Sequence, residues 1–295
     1  MKIGITANPH KPQALRLART AAERLRPQAD VVLSHETSKA LGEDRSAPSL
    51  DDMDADLVVA IGGDGTFLWT LQRIAAPLLP INAGTLGFLA EIDGNEPTAF
   101  EGALERLVRG QYYIDARMKL ASQIGGRNLP DATNEVVLHT AQVAKMRLFE
   151  IAIDGRPVGR IRADGMILST PTGSTSYSLS AAGPIVEPGV EGIVVASLAP
   201  FPAGPRAVVV DPLRTVGIRL VEPGKHGLVV VDGQSEHPIP GGEAVTVYRA
   251  ARRAQFIRFS ASFFHRLGGR RILPWNDEPA GSDEGGRADL PPPAS

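Results

Sequence analysis

The chain has 295 residues, of which 43% are hydrophobic, and this composition predicts one large or two modest folded domains with a sizeable core. Its 31 basic and 33 acidic residues nearly balance, so we expect no general attraction to nucleic acid or to an anionic membrane surface. Because the chain has no cysteine, it has neither a disulfide nor a thiolate metal site, which suits a cytoplasmic protein.

The first third of the sequence alternates short apolar runs with helical patterns, which is typical of a parallel sheet covered by helices. The predicted strands are residues 2–6, 31–34, 57–61 and 78–81, and the predicted helices are residues 14–25, 66–74 and 95–109. Residues 41–56 show no clear period and are predicted to form a loop. We therefore predict a Rossmann-like α/β domain over residues 1–111.

After Tyr112 the pattern changes to short β-rich runs separated by turn signals such as Asp154-Gly155 and Asp232-Gly233. This pattern predicts a β-rich domain of the β-sandwich type over residues 112–258, with one helical stretch at residues 176–182.

The C-terminal part of the sequence contains two further segments. A closing helix is predicted at residues 260–267, inside a segment of residues 259–276 that we expect to pack on the first domain. Residues 277–295 contain four prolines, three glycines and five acidic residues, and this composition predicts disorder.

The strongest indication of function is the turn Gly62-Gly63-Asp64-Gly65-Thr66, which follows an apolar strand and precedes a helix. The glycines allow a ligand to approach the backbone closely, and Thr66 is predicted to cap the helix. A helix N-terminus binds anions, most simply a phosphate. Asp64 would repel a phosphate unless a divalent cation or a proton transfer gives it a role, so the turn indicates chemistry. An isolated turn of this kind is nevertheless more often structural, with Asp64 as a local cap.

Two later segments concentrate polar groups. Asn134 and Glu135 precede an apolar strand and could bind hydroxyl or amide groups. Residues 162–184 are crowded with hydroxyls, and their Gly173-Ser174-Thr175 turn opens a short helical pattern suited to ribose, phosphate or carboxamide groups. Taken alone, such a segment is more often a capped helix start than a site.

Together with Val231-Asp232-Gly233-Gln234, these motifs closely resemble the ATP-NAD kinase family, in order and spacing over residues 1–270. The Gly-Gly-Asp-Gly turn is also found in lipid kinases and phosphofructokinases, whereas the segment 164–184 is specific. The resemblance implies phosphorylation of the 2′-hydroxyl of the adenosine ribose of NAD. It also implies ATP or another phosphoryl donor, a divalent cation such as Mg²⁺ carried with the nucleotide, and a homodimer or homotetramer.

The resemblance assigns roles to particular residues. Asp64 would be the general base, and Gly65 would leave room beside the dinucleotide. Asn134 and Glu135 would hold the ribose or adenine, and Asp164 would contact the nicotinamide end. Further contacts to the dinucleotide are implied for Lys145, Arg162, Thr175, Ser176, Tyr177, Ser178, Leu179, Ser180 and Gln234. The six histidines show no metal-ligand spacing, so no metal site made of protein side chains is expected.

The sequence departs from the family pattern at two places, and two alternative functions remain open. Trp69 stands where some relatives carry an arginine near the donor phosphates, and residues 199–206 replace a polar segment expected before Val208. One alternative is a diacylglycerol- or sphingosine-type lipid kinase, although neither an apolar entrance nor a basic membrane face is evident. The other is a catalytically silent NAD(P)-binding regulator, against which the intact Asp64 argues.

Overall fold

The computed structural model describes residues 1–43, 46–84, 87–142, 145–202, 206–260 and 263–268, without the side chains of residues 265, 266 and 268. Two units are distinguished along the chain, Met1–Ala261 and Ser262–Ser295. The predicted tail, residues 277–295, and part of the predicted segment 259–276 lie outside the described residues.

The described residues contain six α-helices and nineteen strands. The helices are α1 (Pro12–Leu25), α2 (His35–Leu41), α3 (Asp64–Arg73), α4 (Pro97–Val108), α5 (Tyr177–Ser180) and α6 (Phe263–Gly268). The strands are β1 (Lys2–Ala7), β2 (Asp30–Leu33), β3 (Leu57–Gly62), β4 (Leu78–Asn82), β5 (Ile92–Asp93), β6 (Tyr113–Arg117), β7 (Leu120–Ile124), β8 (Arg127–Asn128), β9 (Glu135–Thr140), β10 (Arg147–Ile153), β11 (Arg156–Ala163), β12 (Gly165–Ser169), β13 (Ile193–Leu198), β14 (Val208–Val210), β15 (Val216–Leu220), β16 (His226–Val231), β17 (Ser235–Pro240), β18 (Ala244–Arg249) and β19 (Ala254–Arg258). Within these residues, no helix combines the length and the apolar character needed to cross a membrane.

The first sheet has seven strands in the order β2-β1-β3-β4-β19-β6, and β5 also pairs with β4. All pairings are parallel except that between β19 and β6, so the sheet is mixed. The central strand β3 is buried along its whole length, as a strand covered on both faces requires. Leu57, Val59 and Ile61 pack in one core with α1 and α4, whereas Val58 and Ala60 pack in a second core with α3. The predicted α/β architecture is therefore confirmed.

Helix α2 did not follow from the hydrophobic pattern. Ser34 is its N-cap and accepts a hydrogen bond from the N–H of Thr37 at 3.4 Å. Gly42 ends the helix in a left-handed conformation with φ of 74°. With only seven residues, α2 is too short to show a helical period, so its two capping residues are its main sequence signal.

The β-rich part consists of two antiparallel six-stranded sheets. One has the order β11-β10-β15-β18-β7-β8, and the other has the order β14-β13-β12-β9-β16-β17. Apolar side chains of both six-stranded sheets form one common core. Phe149 and Ile218 contribute from the sheet that contains β10, and Leu138 and Val229 contribute from the sheet that contains β9. The sheets thus pack face to face, and the prediction of a β-rich second half is confirmed.

The two parts of the chain are connected through neighbouring strands. β6 and β19 pair with each other in the first sheet, with Ala254 opposite Arg117. The predicted division at 111/112 and 258/259 grouped these strands with the β-rich part, because a strand of five residues carries no signal of which sheet it joins. The domain boundaries themselves stay a prediction.

Candidate functional site

The Gly-Gly-Asp-Gly turn joins β3 to α3. Gly63 is the N-cap of the helix in an extended conformation, and Asp64 is its first residue. The prediction that Thr66 caps the helix is wrong, because Thr66 lies inside the first turn and its N–H donates to the carbonyl of Gly63 at 2.9 Å. Asp64 therefore sits in the first helical turn, where the positive end of the helix dipole stabilises a carboxylate.

The carboxylate of Asp64 is held by the segment 87–89. Oδ2 accepts a hydrogen bond from the N–H of Phe88 at 2.8 Å, and Oδ1 accepts one from the N–H of Leu89 at 3.3 Å. Gly87 leaves no space for a side chain, since a β-carbon there would collide with the carboxylate of Asp64. The two N–H groups therefore fix the orientation of the carboxylate, which remains half-buried.

A buried arginine, Arg258, holds the segment 87–89 through its backbone. The side chain of Arg258 is fully buried, donates to the carbonyl of Leu89 at 3.0 Å and pairs with Glu91 at 3.1 Å. Glu91 also accepts the N–H of Phe259 at 2.8 Å. Because buried charges need such partners, the cluster anchors the segment that contacts Asp64 to strand β19.

A cavity of about 520 Å³ lies beside the turn, at the carboxyl ends of β1 and β3. Open α/β sheets bind ligands at this edge, and the volume suits a small molecule. The polar and aromatic residues that line the cavity are Asn8, His10, Lys11, Glu36, Thr66, Trp69 and Gln234.

Lys11 places a positive charge beside Gly63 of the turn and beside Gly84, which follows β4. A β-carbon on Gly84 would lie 3.3 Å from the Nζ of Lys11, and one on Gly63 would lie 3.8 Å away. An ammonium group there, next to a helix N-terminus, suits a phosphate. Sequence reasoning missed Lys11, although a lysine in the loop after the first strand of an α/β sheet was an available signal.

Trp69 lines the same cavity, and its ring makes a cation–π contact with Arg73. The guanidinium of Arg73 lies 4.4 Å from the centre of the indole and donates to the carbonyl of Trp69 at 2.9 Å. Arg73 also approaches the carboxylate of Asp51, with 3.8 Å between nitrogen and oxygen. The indole thus orients a cation one helical turn further along α3.

A second polar cluster lies at the start of β9, where Glu135 stands opposite Ser169 of β12. Asn134 and Glu135 are each only 6% exposed. Among the described residues, Oδ1 of Asn134 and Oε2 of Glu135 have no hydrogen-bond partner. Buried polar atoms are nearly always paired, so these two atoms point to a ligand that pairs them.

The environment of Glu135 favours its neutral form. Burial, and secondly the charge of Asp232, raise the pKa of Glu135 to about 8, although hydrogen bonds from Ser176 and the N–H of Tyr177 act in the opposite direction. The protonated form therefore predominates at pH 7, so the carboxyl group can donate a hydrogen bond as well as accept one.

The hydroxyl-rich segment packs onto Asn134. A 3₁₀ helix at Thr172–Thr175 precedes α5, so the predicted helix over 176–182 is wrong in extent. Gly173 has no room for a β-carbon, because the backbone of Asn134 lies against it. After the short helix α5, Ala182 adopts a left-handed conformation with φ of 57°, so the helix does not continue to residue 182.

The predicted residues of this segment have different environments. Ser178 is fully buried, and within the described part of the chain its hydroxyl has no partner. Tyr177 is 42% exposed, and Ser180 is also exposed. Leu179 and Ser176 are half-buried, and the hydroxyl of Thr175 donates to the carbonyl of Thr172 at 3.3 Å.

Gln234 brings the two clusters together. A β-carbon on Gly65 would lie 3.7 Å from Nε2 of Gln234, which stands in the turn between β16 and β17. Gln234 also lines the cavity that contains Lys11. The cavity at α3 and the hairpin that flanks β9 are thus adjacent.

Three predicted residues lie elsewhere. Gly165 pairs with His139, so Asp164 is five residues from Ser169, the partner of Glu135, or roughly 17 Å at the usual rise per residue. Arg162 is exposed on β11, and Lys145 is exposed between β9 and β10. The described contacts do not connect these three side chains to Glu135. No group of three or more His, Asp or Glu side chains able to hold a metal ion is found in the described residues.

Comparisons with known proteins identify relatives of this chain along most of its length. The family models described as the ATP-NAD kinase N-terminal domain and the ATP-NAD kinase C-terminal domain match residues 3–112 and 133–259. The NAD kinase of Thermoplasma volcanium is 38% identical over 267 residues, which cover 90% of this chain and 96% of the relative. The NAD kinase of Methanothermobacter thermautotrophicus is 38% identical over 272 residues, covering 90% of this chain and 95% of the relative.

Two solved structures resemble this one. An NAD kinase from Archaeoglobus fulgidus in complex with ATP has a TM-score of 0.72 and 28% identity, and the match covers 92% of this chain and 98% of that chain. Yeast NADH kinase complexed with NADH has a TM-score of 0.81 and 24% identity, covering 94% of this chain and 88% of that chain. The yeast structure shows that the fold is shared.

Proposed function

This chain belongs to the ATP-NAD kinase family and acts as an NAD kinase, and we propose that it transfers the γ-phosphoryl group of ATP to the 2′-hydroxyl of the adenosine ribose of NAD. One observation carries the proposal. The cavity with Lys11 at the start of α3 is adjacent to the hairpin beside the polar cluster of Asn134 and Glu135, with Gln234 within 3.7 Å of the β-carbon position of Gly65. A donor and an acceptor could therefore meet next to Asp64.

The cavity is proposed to take the triphosphate of the donor. Lys11 supplies a positive charge over Gly63 and Gly84, and the N-terminus of α3 supplies backbone N–H groups. The complex of the Archaeoglobus fulgidus relative with ATP supports this choice of donor. Phosphoryl transfer depends mainly on positioning and on charge neutralisation, and these groups provide both.

The acceptor is proposed to use the buried polar atoms of the second cluster. The Asn134 carbonyl oxygen would accept a hydrogen bond from the nucleoside, and the neutral carboxyl group of Glu135 would exchange hydrogen bonds with ribose hydroxyls. Tyr177 has an exposed ring that could stack on a base. Gln234 and the hydroxyl of Ser178 would add further contacts.

Asp64 is proposed to be the general base. The N–H groups of Phe88 and Leu89 orient its carboxylate at the start of α3, beside the cavity that Gly63 and Gly65 line. The proton of the 2′-hydroxyl moves to a carboxylate oxygen of Asp64. The ribose oxygen then forms a bond to the γ-phosphorus, and the bond from that phosphorus to the β–γ bridging oxygen breaks, which releases ADP.

The family implies a divalent cation, but the described residues bring no three acidic or histidine ligands together to hold one. We therefore assign no protein ligands to such an ion and derive no step through it; a magnesium ion would arrive on the triphosphate. A homodimer or homotetramer and a cytoplasmic location stay predictions.

The test is a coupled assay of the purified chain with NAD, ATP and Mg²⁺, read as NADP formation. Asp64→Asn keeps the shape of the side chain and removes its basicity, so kcat should fall by roughly 10²-fold or more. NAD binding, measured by calorimetry, should change much less. Asp51→Asn is the matched control, because Asp51 is exposed beside Arg73 at the opposite end of α3.

Near-normal turnover in Asp64→Asn would reduce Asp64 to a turn-forming residue. Absence of NADP formation by the wild type, with NAD still bound, would instead favour the silent regulator. Phosphorylation of diacylglycerol or sphingosine in place of NAD would favour the lipid kinase.

A further inference from the structure

Asp232 holds the segment that leads into β9. Its side chain is 4% exposed and accepts three consecutive backbone N–H groups. Oδ2 accepts from Thr133 at 2.8 Å, and Oδ1 accepts from Asn134 at 2.7 Å and from Glu135 at 3.1 Å. The N–H of Asp232 in turn donates to the carbonyl of Glu135 at 3.0 Å. The two residues with unpaired side-chain oxygens therefore have their backbone fixed by one carboxylate.

The backbone of Asp232 has an unusual conformation that serves this contact. Asp232 lies in the turn between β16 and β17 with φ of 52°, followed by Gly233 with φ of 64°. Two successive residues in the left-handed region are typical of a tight hairpin turn, where aspartate is tolerated better than most residues. The conformation turns the carboxylate of Asp232 back toward β9.

Asp232 also contacts the helix that begins with Asp64. Nε2 of Gln72 donates to Oδ2 of Asp232 at 3.4 Å. The buried Lys119 donates from Nζ to the carbonyl of Leu71 at 2.8 Å, and its positive charge attracts Asp232. Because Leu71 and Gln72 both belong to α3, one carboxylate connects that helix to the start of β9.

We propose that Asp232 is a positioning residue that sets Asn134 and Glu135 for the acceptor nucleotide and fixes them relative to the helix carrying Asp64. The assignment rests on the proposed function, in which Asn134 and Glu135 bind NAD. Asp232 itself does not touch the substrate, because backbone N–H groups and Gln72 surround its carboxylate. Its effect should therefore appear in acceptor affinity, with donor affinity unchanged.

The test is the variant Asp232→Asn in the full chain. An amide can keep an oxygen toward Asn134 and Glu135, but its NH₂ group then faces the N–H of Thr133 and cannot accept it. Loss of a buried hydrogen bond to a charged group corresponds to about 10- to 100-fold in an equilibrium constant, so KM for NAD should rise by about that factor. KM for ATP should stay within about twofold, since Asp232 is not among the described residues that line the cavity with Lys11. Its contact with the lining residue Gln234 uses the backbone carbonyl of Asp232, at 3.4 Å, which the substitution leaves in place.

The chain offers a matched control in a second Asp-Gly turn. Asp154 has φ of 49°, its carboxylate accepts the N–H of Thr215 at 3.0 Å, and it pairs with Arg214 at 2.7 Å. It lies between β10 and β11, on the sheet that does not contain β9. Asp154→Asn should therefore change neither KM, while urea unfolding of both variants reports any loss of stability.

The outcomes separate this inference from the proposed function. A folded Asp232→Asn variant with unchanged KM for NAD would overturn the inference, and so would an equal rise of both KM values. If that variant does not fold, Gln72→Leu decides, since it removes only one donor to Asp232: a raised KM for NAD supports the inference, and an unchanged value overturns it. Failure of the proposed function would appear earlier, as a wild type that forms no NADP.

Discussion

Glu135 should make the stability of the ligand-free protein depend on pH, and Glu135→Gln should remove that dependence. Burial and the charge of Asp232 raise the pKa of Glu135 from 4.5 to about 8. Between these two values the folded protein holds a proton that the unfolded chain has already released. Because the folded state binds more protons there, the free energy of unfolding falls as the pH rises from about 4.5 to about 8.

The magnitude follows from the two pKa values of Glu135. At pH 6 the folded protein still retains more than half of the stabilisation that comes from the neutral carboxyl group. By pH 8 this stabilisation is almost wholly lost. The change between pH 6 and pH 8 corresponds to roughly 1.7 pKa units, or about 2 kcal/mol of unfolding free energy. Glutamine has a similar shape but does not titrate, so the variant lacks this contribution.

The assay is urea unfolding at pH 6 and pH 8 without nucleotide, for the wild type and for Glu135→Gln. The raised pKa of Asp232 contributes in the same direction in both proteins, so the difference between them reports what the carboxyl group of Glu135 adds. Lys119, whose pKa burial and the charge of Arg252 lower to about 8, affects stability only above that value. Glu187→Gln, at an exposed glutamate, controls for loss of a charge. An equal loss of stability between pH 6 and pH 8 in wild type and Glu135→Gln would refute the reasoning.

Three further predictions concern other parts of the site. Lys11→Met should raise KM for ATP about tenfold and leave KM for NAD unchanged. Lys39→Met, at an exposed lysine, is the control, and equal effects of Lys11→Met on both KM values would show that Lys11 does not bind the donor. Trp69→Arg should change the affinity for ATP more than that for NAD, measured by calorimetry, and parallel changes would show that residue 69 does not face the donor. Arg258→Met should lower the free energy of unfolding, measured by urea unfolding, by about 3–5 kcal/mol, because the buried carboxylate of Glu91 would lose its guanidinium partner. A loss below about 1 kcal/mol would contradict this prediction.

The strands and the glycine-rich turn could be predicted because their signals are local. The run 57–61 is apolar throughout, and the glycines after it mark the turn directly. The helix start was placed at Thr66, because a threonine is a better capping signal than Gly63, which caps α3 without any side-chain hydrogen bond. The helix predicted at 176–182 ends at Ser180, because Ala182 adopts a left-handed conformation with φ of 57° that its residue type does not signal.

The residues that support the site were harder to predict than those proposed to bind substrate. The Gly-Gly-Asp-Gly turn and the pair Asn134-Glu135 belong to recognisable motifs. Asp232 also belongs to a motif, Val231-Asp232-Gly233-Gln234, but its contacts could not be predicted from that motif. They reach a segment almost one hundred residues away in sequence, which only the pairing of β16 with β9 brings close. Lys119 resembles an ordinary surface lysine in the sequence, yet it is 1% exposed and donates to the end of α3.

The position of β19 has a consequence for how the chain folds during synthesis. This strand lies between β4 and β6, so the first sheet lacks an interior strand until the whole β-rich part has left the ribosome. Until then β5 covers only Ile81 and Asn82 of β4, and the first residues of β4 present an apolar edge able to pair with other chains. Closing such a long loop costs little extra conformational entropy, but pairings between distant segments form slowly. The sheet that begins with β1 is thus completed only when β19 has been synthesised.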